Sequence, residues 1–341
     1  MPRRHKLAAL TASVLLLNTA CGGPFPQSTL SPTADLGFQI DGLFRLILWL
    51  AAAVFVIVEA LLIYVAIRYR ARPGQPPPAR VHGHTLLEIS WTLAPAVILI
   101  IVAVPTIQTI LRTQRAPGPD ALEVSVIGHQ WWWEYRYPAS GVVTANEMHI
   151  PVGKPVVLAM TSADVIHSFW APRLGGKRDV VQGRTNRIEF TPDSVGVFLG
   201  QCAEFCGTSH ANMGLRVVVE DSAAFAAWTA DQLKAPALPD SLTGGLAREG
   251  LEAFRKLREP ASNSCIACHT IQGVSGGVLG PNLTHVGSRA TIAGASLPNT
   301  PDGLSRWLDD PPGVKPGSKM PRIGLTQQEI AALVAYLQSL K

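Results

Sequence analysis

Soft metal ligands are concentrated in residues 201–213, which read QCAEFCGTSHANM. Two thiols, an imidazole and a thioether fall at Cys202, Cys206, His210 and Met213, close enough for one loop to direct all four at a single point. Such donors suit copper, whereas zinc is satisfied by Cys and His and makes no use of Met. The spacing therefore predicts a metal site and favours copper.

The second cysteine bears on how many ions this site holds. A mononuclear blue-copper centre uses one Cys, two His and a weak axial Met, so a second Cys would be surplus. Two thiolates can instead bridge two copper ions, each with a terminal imidazole. The loop supplies only His210, and His167 in DVIHSFWAP is the expected second imidazole. A Cys2His2 zinc site and a Cys202–Cys206 disulfide are the alternatives, although neither accounts for Met213.

A second redox motif, NSCIACHT, lies nearer the C-terminus. Cys265 and Cys268 are spaced to add across the vinyl groups of a haem, and His269 follows them as proximal iron ligand. A redox dithiol is the alternative reading of this spacing. Met320 in KPGSKMP is the predicted sixth ligand, since a thioether opposite His stabilises ferrous iron, and His285 is its rival.

These motifs carry a family resemblance. Residues 39–220 resemble subunit II of the cytochrome c oxidases, which holds a dinuclear copper A centre, and residues 244–341 resemble a small class I cytochrome c. By matching position, the resemblance implies these copper ligands: His167, Cys202, Glu204 through its backbone carbonyl, Cys206, His210 and Met213. It further implies that the Glu204 side chain reaches a magnesium ion at the interface with subunit I.

Three consecutive tryptophans stand in GHQWWWEYRY. Alternation along a strand would bury Trp132 or Trp133 in a core. The resemblance matches Trp131 to the exposed family Trp that passes electrons from cytochrome c towards copper, and an aromatic ring also suits a docking face. Because this chain carries its own haem motif, the docking face could serve an intramolecular partner. Asp164, three residues before His167, is placed to orient that ring or to cap a turn.

Composition and hydropathy predict a membrane anchor. The 341 residues are 47% hydrophobic, and 43–67 and 89–111 are apolar runs that could each cross a hydrocarbon core of about 30 Å. The loop between them is rich in Arg, so the positive-inside rule places it in the cytoplasm and both soluble domains outside a bacterial cell membrane. The net charge of +5 is not gathered into one basic stripe, which argues against a nucleic-acid partner.

Residues 1–20 have the layout of a secretory signal peptide. Cys21, followed by two glycines, suggests a lipoprotein cleavage site with an acylated N-terminal Cys, but Asn18 stands where such sites usually carry Leu. Ordinary cleavage after Ala20 is the alternative. The remaining four of the five cysteines belong to the two redox motifs, which leaves none for a disulfide framework.

Two carboxylates belong to the expected hairpin, 43–111. Glu59 lies well inside the first span, where it should face protein or water, and its role is open. Glu88, in LLEISWTLAP, sits at the cytoplasmic edge. It is either a solvated interfacial charge or, as the resemblance implies for a Glu three residues before this Trp, a residue that admits protons to an uptake channel of subunit I.

The rest of the chain divides into a β-rich and a helical part. Short runs of alternating Val, Ile, Phe and Thr over 120–220 predict a sandwich or small barrel, and the resemblance implies a cupredoxin Greek-key barrel. Residues 221–243 begin as a short amphipathic helix and end as an Ala/Pro linker. Residues 244–341 are expected to form an all-α cytochrome c domain. The fold class is thus a membrane-anchored multidomain chain: transmembrane helical hairpin, all-β barrel, all-α haem domain.

Together these features predict a chain that passes electrons from haem c to copper and then to a membrane partner. The apolar runs contain no His to hold a haem or a third copper, so the oxygen-reducing metals must lie in another subunit. The resemblance implies subunit II of a caa3-type oxidase. Its partners are subunit I, which holds haem a and copper B and couples oxygen reduction to proton pumping, subunit III, and cytochrome c or another donor. The copper A subunit of a related nitric oxide reductase and a membrane-anchored copper carrier are the alternatives.

Overall fold

The computed structural model describes residues 25–74, 82–114, 118–236 and 245–341. The expected signal peptide, 1–20, and Cys21 lie outside the described residues. So do 75–81, in the loop between the two apolar runs, and 237–244, at the end of the expected linker.

Two long apolar helices open the described chain and pack against each other: α1, Asp35–Arg68, and α2, Thr85–Thr113. Their most apolar stretches have mean hydropathies of 2.8 and 2.2, and both helices are long and apolar enough to cross a membrane. At 1.5 Å per residue, α1 is about 50 Å long and exceeds a hydrocarbon core. Its first turn is tied to the β domain, since Asp35 Oδ1 accepts a hydrogen bond from Thr191 N at 2.7 Å.

Ten strands lie within the described segment 118–236. They are β1 Leu122–His129, β2 Trp132–Tyr137, β3 Val142–Ala145, β4 Glu147–Pro151, β5 Val156–Ser162, β6 His167–Trp170, β7 Arg178–Val180, β8 Asn186–Phe190, β9 Gly196–Cys202 and β10 Gly214–Glu220. One sheet has the order β3-β2-β1-β5-β8 and the other β4-β10-β9-β6-β7. Each contains one parallel pair, β1 with β5 and β4 with β10.

The core of the β domain is filled by the alternating side chains of these strands. Val124 and Val126 of β1 are fully buried, as are Trp133 of β2 and Val217 of β10. Because successive strand residues point to opposite faces, such alternation leaves one face of a strand in a core. The sandwich or small barrel predicted from the alternation is therefore confirmed.

One predicted β run, VVTANEMHI, is two strands in two different sheets. Asn146 separates β3 from β4 and has φ of 62°, in the left-handed region that Asn tolerates better than most residues. The chain crosses there from the first sheet to the second. Helix α3, Ser222–Gln232, then packs on β4 and β10, and Asp221 caps it by accepting from Ala223 N and Ala224 N at 2.9 and 2.8 Å.

The C-terminal part is helical with a core of its own. Its helices are α4 Leu246–Arg255, α5 Cys265–Cys268, α6 Pro301–Asp309, α7 Pro311–Val314 and α8 Gln327–Ser339, and its short strands are β11 Thr270–Ile271, β12 Ser275–Gly276, β13 Thr291–Ile292 and β14 Leu297–Pro298. The closely packed pair α4 and α8 frames the core, where Phe254 meets Tyr336 at a ring distance of 5.9 Å. Gly250 makes this approach possible, because a Cβ there would lie 2.0 Å from Ala332 O.

Candidate functional site

The predicted copper ligands come from the second sheet and the loop at its end. His167 begins β6, Cys202 ends β9, His210 lies in a 3-10 turn and Met213 immediately precedes β10. Cys202 N donates to Met213 O at 2.9 Å and so closes the loop that carries Cys206. Paired strands therefore hold both ends of the ligand loop.

The five side chains meet at one place. Cys202 Sγ and Cys206 Sγ are 3.8 Å apart, and His167 Nδ1 lies 3.9 Å from Cys202 Sγ. On the other side, His210 Nδ1 and Met213 Sδ lie 3.6 and 3.8 Å from Cys206 Sγ. The structure thus brings His167 of β6 to the ligand loop, although His167 and Cys202 are 35 residues apart in the sequence.

Glu204 turns its main chain towards this cluster and its side chain away. The Glu204 carbonyl oxygen lies 3.2 Å from Cys202 Sγ, whereas the carboxylate side chain is exposed. The neighbouring Phe205 is also exposed and packs edge-on against the His210 ring at 5.8 Å. The main chain of Glu204 therefore borders the cluster while its carboxylate meets solvent.

A Cys202–Cys206 disulfide is absent. The 3.8 Å between the sulfurs is far beyond the roughly 2.05 Å of an S–S bond, and both residues are free cysteines. His167 and Met213 have no solvent exposure, and each cysteine is 3% exposed. A buried set of two thiols, imidazoles and a thioether fits a soft metal ion, and Met213 favours copper over zinc.

The surroundings favour a thiolate at this cluster. The hydrogen bond from Cys206 lowers the pKa of Cys202 against the effect of burial, and His167 and backbone hydrogen bonds at Glu204 and Ser168 act in the same direction. The same contact with Cys202, together with burial, raises the pKa of Cys206. Metal binding requires deprotonated sulfur, so a bound cation would release the proton that this pair shares.

Asp164 orients the His167 ring. His167 Nε2 and Asp164 Oδ1 are 2.9 Å apart, which leaves Nδ1 facing the sulfurs. The other carboxylate oxygen accepts from Gln130 N at 2.7 Å. Burial opposes ionisation, but the hydrogen bonds from His167 and two backbone amides hold the pKa of Asp164 well below its usual range. Gly128 leaves room for the ring, since a Cβ there would lie 2.7 Å from His167 Cδ2. Metal-binding imidazoles commonly donate their second N–H in this way.

The haem motif is arranged around His269. Cys265 and Cys268 lie at the two ends of α5, and His269 follows. His269 Nδ1 donates to Pro281 O at 2.9 Å, which leaves Nε2 free for iron, and burial lowers the pKa of the ring so that it stays neutral. Gly280 packs against the same ring, where a Cβ would lie 2.6 Å from Cε1. Residues 280–283, GPNL, thus pack beside the predicted proximal His.

The haem domain also holds buried polar atoms that no described protein group satisfies. They include both ring nitrogens of His285, which is 5% exposed, and Nε of Arg289. Buried polar groups normally have a partner. A haem carries two carboxylates and an iron, so these residues, with the half-buried Met320 at the edge of the core, fit that group.

Comparison with known proteins places the chain in a family. Models described as cytochrome c oxidase subunit II transmembrane domain, cytochrome c oxidase subunit II periplasmic domain, and cytochrome c match residues 24–109, 139–221 and 258–341. A protein named cytochrome c oxidase subunit 2, from Alkalihalophilus pseudofirmus, is 37% identical over 96% of this chain and 94% of its own. The chain belongs to the cytochrome c oxidase subunit II family.

Two further subunit 2 relatives match over their length. The one from Bacillus subtilis is 33% identical and covers 100% of this chain and 99% of its own, and the one from Bacillus sp. strain PS3 is 35% identical over 98% and 97%. The predicted architecture is confirmed: two apolar helices, a cupredoxin-like β domain, and a cytochrome c domain fused behind it. As subunit II, the chain is one component of a haem–copper oxidase complex.

In this subunit II, Trp131 is 8% exposed rather than open to solvent. Its Nε1 donates to Cys206 O at 2.9 Å, beside Gln130 Nε2, which donates to the same oxygen at 2.8 Å. The haem domain covers the outer face of the indole, where a Cβ on Gly317 would lie 3.0 Å from Cη2. Trp133, by contrast, fills the β core with no exposure, as alternation predicted for Trp132 or Trp133.

Glu88 lies in the first turn of α2 and has a local structural role. Its Oε1 accepts from His84 N at 3.2 Å, while His84 Nδ1 accepts from Leu87 N at 3.4 Å. The two side chains thus cap the N-terminal end of the helix reciprocally. Glu59 is an exposed residue of α1.

Sequence reasoning missed two charged residues that the structure buries, Glu147 and Lys315, and the half-buried Arg289. Glu147 and Lys315 are each 4% exposed and join the two soluble domains. Each is a single charge beside apolar or small neighbours in the sequence, as in ANEMHI and GVKPG. A charge in such a setting indicates a buried polar contact. The partners of Glu147 and Lys315, however, lie over 140 residues away in the sequence, so the sequence does not identify them.

Proposed function

We propose that the chain passes electrons, within a caa3-type cytochrome c oxidase, from its own haem c to a dinuclear copper A centre and on to the oxygen-reducing haem and copper B site of subunit I, with coupled proton pumping. The observation that carries this proposal is the indole of Trp131. It is bonded to the carbonyl of one cluster cysteine and covered by the loop that carries Met320.

The copper ligands proposed are His167, Cys202, the Glu204 carbonyl, Cys206, His210 and Met213. When bound, the two copper ions would supply a one-electron carrier. The chain's part is to keep the donors buried and their positions fixed by paired strands. Asp164 fixes one imidazole in the tautomer that offers Nδ1.

For the haem, we propose thioether bonds at Cys265 and Cys268, with His269 and Met320 as the residues that would hold the iron. When bound, the haem would supply a second one-electron carrier. The backbone carbonyl of Pro281 holds the proximal imidazole, while Arg289 is placed to meet a carboxylate of the group.

Electrons are proposed to enter the copper domain through Trp131, since its indole is one hydrogen bond from Cys206. Protons are proposed to enter subunit I past Glu88, which is exposed at the start of α2. The exposed carboxylate of Glu204 is proposed to hold a magnesium ion against subunit I. A cavity of about 510 Å³ is lined in part by Gln201, Cys202 and His210.

The chain is proposed to sit in a bacterial cell membrane with both soluble domains on the outer side. The Arg-rich loop between α1 and α2 supports this orientation. Residues 1–20 are proposed as signal peptide, 43–111 as hairpin, 120–220 as copper domain, 221–243 as linker and 244–341 as haem domain. Subunits I and III and a cytochrome c or other donor are the proposed partners.

Purification of the whole complex tests the proposal. We expect two copper atoms and one covalent haem per chain, and a reduced-minus-oxidised spectrum with haem extraction that shows haem a. One copper or a zinc would reject the dinuclear centre. A complex without haem a would favour the nitric oxide reductase alternative, and copper that a mild chelator removes readily would favour a carrier.

A further inference from the structure

The two soluble domains meet on the copper-ligand loop itself. Gly214 N donates to Gly294 O at 2.9 Å, Ser209 Oγ donates to Pro316 O at 2.5 Å, and Ser296 Oγ donates to Asn212 O at 3.2 Å. Ser209, Asn212 and Gly214 are all within one residue of a predicted copper ligand. The haem domain therefore packs against the backbone that carries the metal site.

A buried carboxylate of the copper domain binds the haem domain at one edge of this contact. Glu147, the first residue of β4, accepts from Ala290 N at 2.9 Å, Thr291 N at 2.7 Å and Thr291 Oγ1 at 2.6 Å. These donors belong to the start of β13, in the haem domain. A buried charge requires such partners, and leaving it without them is costly.

A buried lysine of the haem domain binds the copper domain. Lys315 Nζ donates to Trp131 O at 2.5 Å and to Ala293 O at 3.0 Å. Gly294 leaves the space for it, since a Cβ there would lie 2.5 Å from Nζ. Burial lowers the pKa of Lys315 to about 7.

We infer that Lys315 and Glu147 are positioning residues, which hold the haem domain in one fixed pose on the Trp131 face of the copper domain. This inference rests on the proposed function and deepens it. Each domain contributes one of the two buried side chains: Glu147 comes from the copper domain and Lys315 from the haem domain. Together their contacts fix the position and orientation of the haem domain. The covalent linker keeps the two surfaces at high effective concentration, and the two charges select one docked geometry.

The fixed pose has a consequence for the external donor. The Trp131 indole is 8% exposed because the loop 315–320 lies on it. An external electron donor therefore finds this face occupied and must deliver its electron to the haem domain.

Hydrogen–deuterium exchange on the complete complex tests the inference without depending on turnover. Peptides that contain Gly214 and Thr291 should be protected in the wild type. In Lys315→Met and Glu147→Gln they should exchange at least tenfold faster, while copper and haem spectra stay unchanged. The matched control is Lys256→Met, which removes an exposed haem-domain lysine paired only with Glu329.

Two further variants distinguish loss of the interdomain contact from misfolding. Lys315→Arg, which keeps the charge, should restore most of the protection. Thr291→Val removes one donor to Glu147 while keeping shape, and should give an intermediate effect. Flash-induced haem-to-copper electron transfer should slow tenfold or more in Lys315→Met and be unchanged in Lys256→Met.

Two outcomes would overturn the inference. One is wild-type exchange at both peptides as fast as in exposed loops, and the other is the same exchange and transfer rates in Lys315→Met as in Lys256→Met. Failure of the proposed function has a different signature. Protection would remain and depend on Lys315 and Glu147, but the wild type would lack haem-to-copper transfer.

Discussion

At the scale of single residues, the cluster depends on a few side chains that do not themselves bind metal. Asp164 accepts from His167 and from Gln130 N, and Gly128 leaves the imidazole its space. These contacts select one tautomer and one ring orientation before any ion arrives. A ligand that is held in this way loses little conformational freedom on binding.

Replacing Asp164 by Asn should weaken the copper site. The amide retains the shape but not the charge that supports the imidazole, so we expect about a 10- to 100-fold loss of copper affinity. Competition with a chelator measures this loss. Asp231→Asn, an exposed carboxylate on α3, is the control and should leave affinity unchanged. Equal affinities in both variants would contradict a role for Asp164.

Replacing Met213 by Leu tests the thioether. Met213 is fully buried with its sulfur 3.8 Å from Cys206 Sγ, and a Leu of similar volume should cost less than about 1.5 kcal/mol of stability. We expect a shifted copper potential and slower haem-to-copper transfer, with an intact haem spectrum. Redox titration and flash photolysis measure the two. Unchanged transfer would count against Met213 as a ligand.

At the scale of elements, the haem domain depends on the close pair α4 and α8 and on the cap of α8. Thr326 Oγ1 accepts from Glu329 N at 3.2 Å, and Glu329 Oε2 accepts from Thr326 N at 3.0 Å. The Glu329 carboxylate is further bonded by Arg258 at 2.8 Å. One side chain thus joins the helix start to the segment that leads into the haem motif.

The stability of the haem domain should depend on pH through Glu329. The Thr326 backbone amide, Arg258 and Lys256 lower its pKa from 4.5 to about 2. A carboxyl whose pKa is lower in the folded state stabilises the fold above its unfolded pKa, and that contribution is lost as pH falls from about 4.5 towards 2. Thermal unfolding at a series of pH values should show a shallower decline in Glu329→Gln over this window. Parallel curves for both proteins would contradict the assignment.

The crossing of α4 and α8 should not accept a methyl group at Gly250. A Cβ there would lie 2.0 Å from Ala332 O, so Gly250→Ala must push the helices apart. We expect a loss of about 1–3 kcal/mol in the free energy of unfolding, measured by denaturant titration. The control is Gly276→Ala, where nothing lies within 4 Å of the added Cβ. A similar small effect at both sites would argue against this packing.

At the scale of the whole molecule, the fused haem domain covers the residue through which electrons are proposed to reach copper. The anchor helices α1 and α2 leave most of their apolar side chains exposed within the described chain, while the two soluble domains bury charges against each other. On the proposed electron route, donation to copper is an event within one chain. Capture of the external donor is then expected on the outer surface of the haem domain.

Replacing Trp131 by Phe should separate these two events. Loss of the indole N–H removes the hydrogen bond to Cys206 O, so haem-to-copper transfer and kcat should fall by tenfold or more. The KM for a soluble cytochrome c used as donor should stay within twofold, because the donor does not touch Trp131. Steady-state kinetics of the complex measure both. A large rise in KM at unchanged kcat would show that the donor docks on this face.

The sequence by itself determined the class of each part and predicted the chemistry of both centres. The predicted ligands of each centre are closely spaced in one loop or turn, where chain connectivity already keeps the donors close. They are Cys202, Cys206, His210 and Met213 for copper, and Cys265, Cys268 and His269 for haem. Apolar runs and alternation likewise depend on local backbone period, so the hairpin and the β domain were predictable. The break at Asn146 was not, because a single left-handed residue leaves the alternation intact.

Only the tertiary structure decided how these parts meet. The contact of Lys315 with Trp131 spans 184 residues and that of Glu147 with Thr291 spans 144, and no periodic pattern links such positions. The same holds for the burial of Trp131, which family resemblance alone would leave exposed. Docking depends on the shapes and charges of two finished surfaces, and these exist only after each domain has folded around its own core.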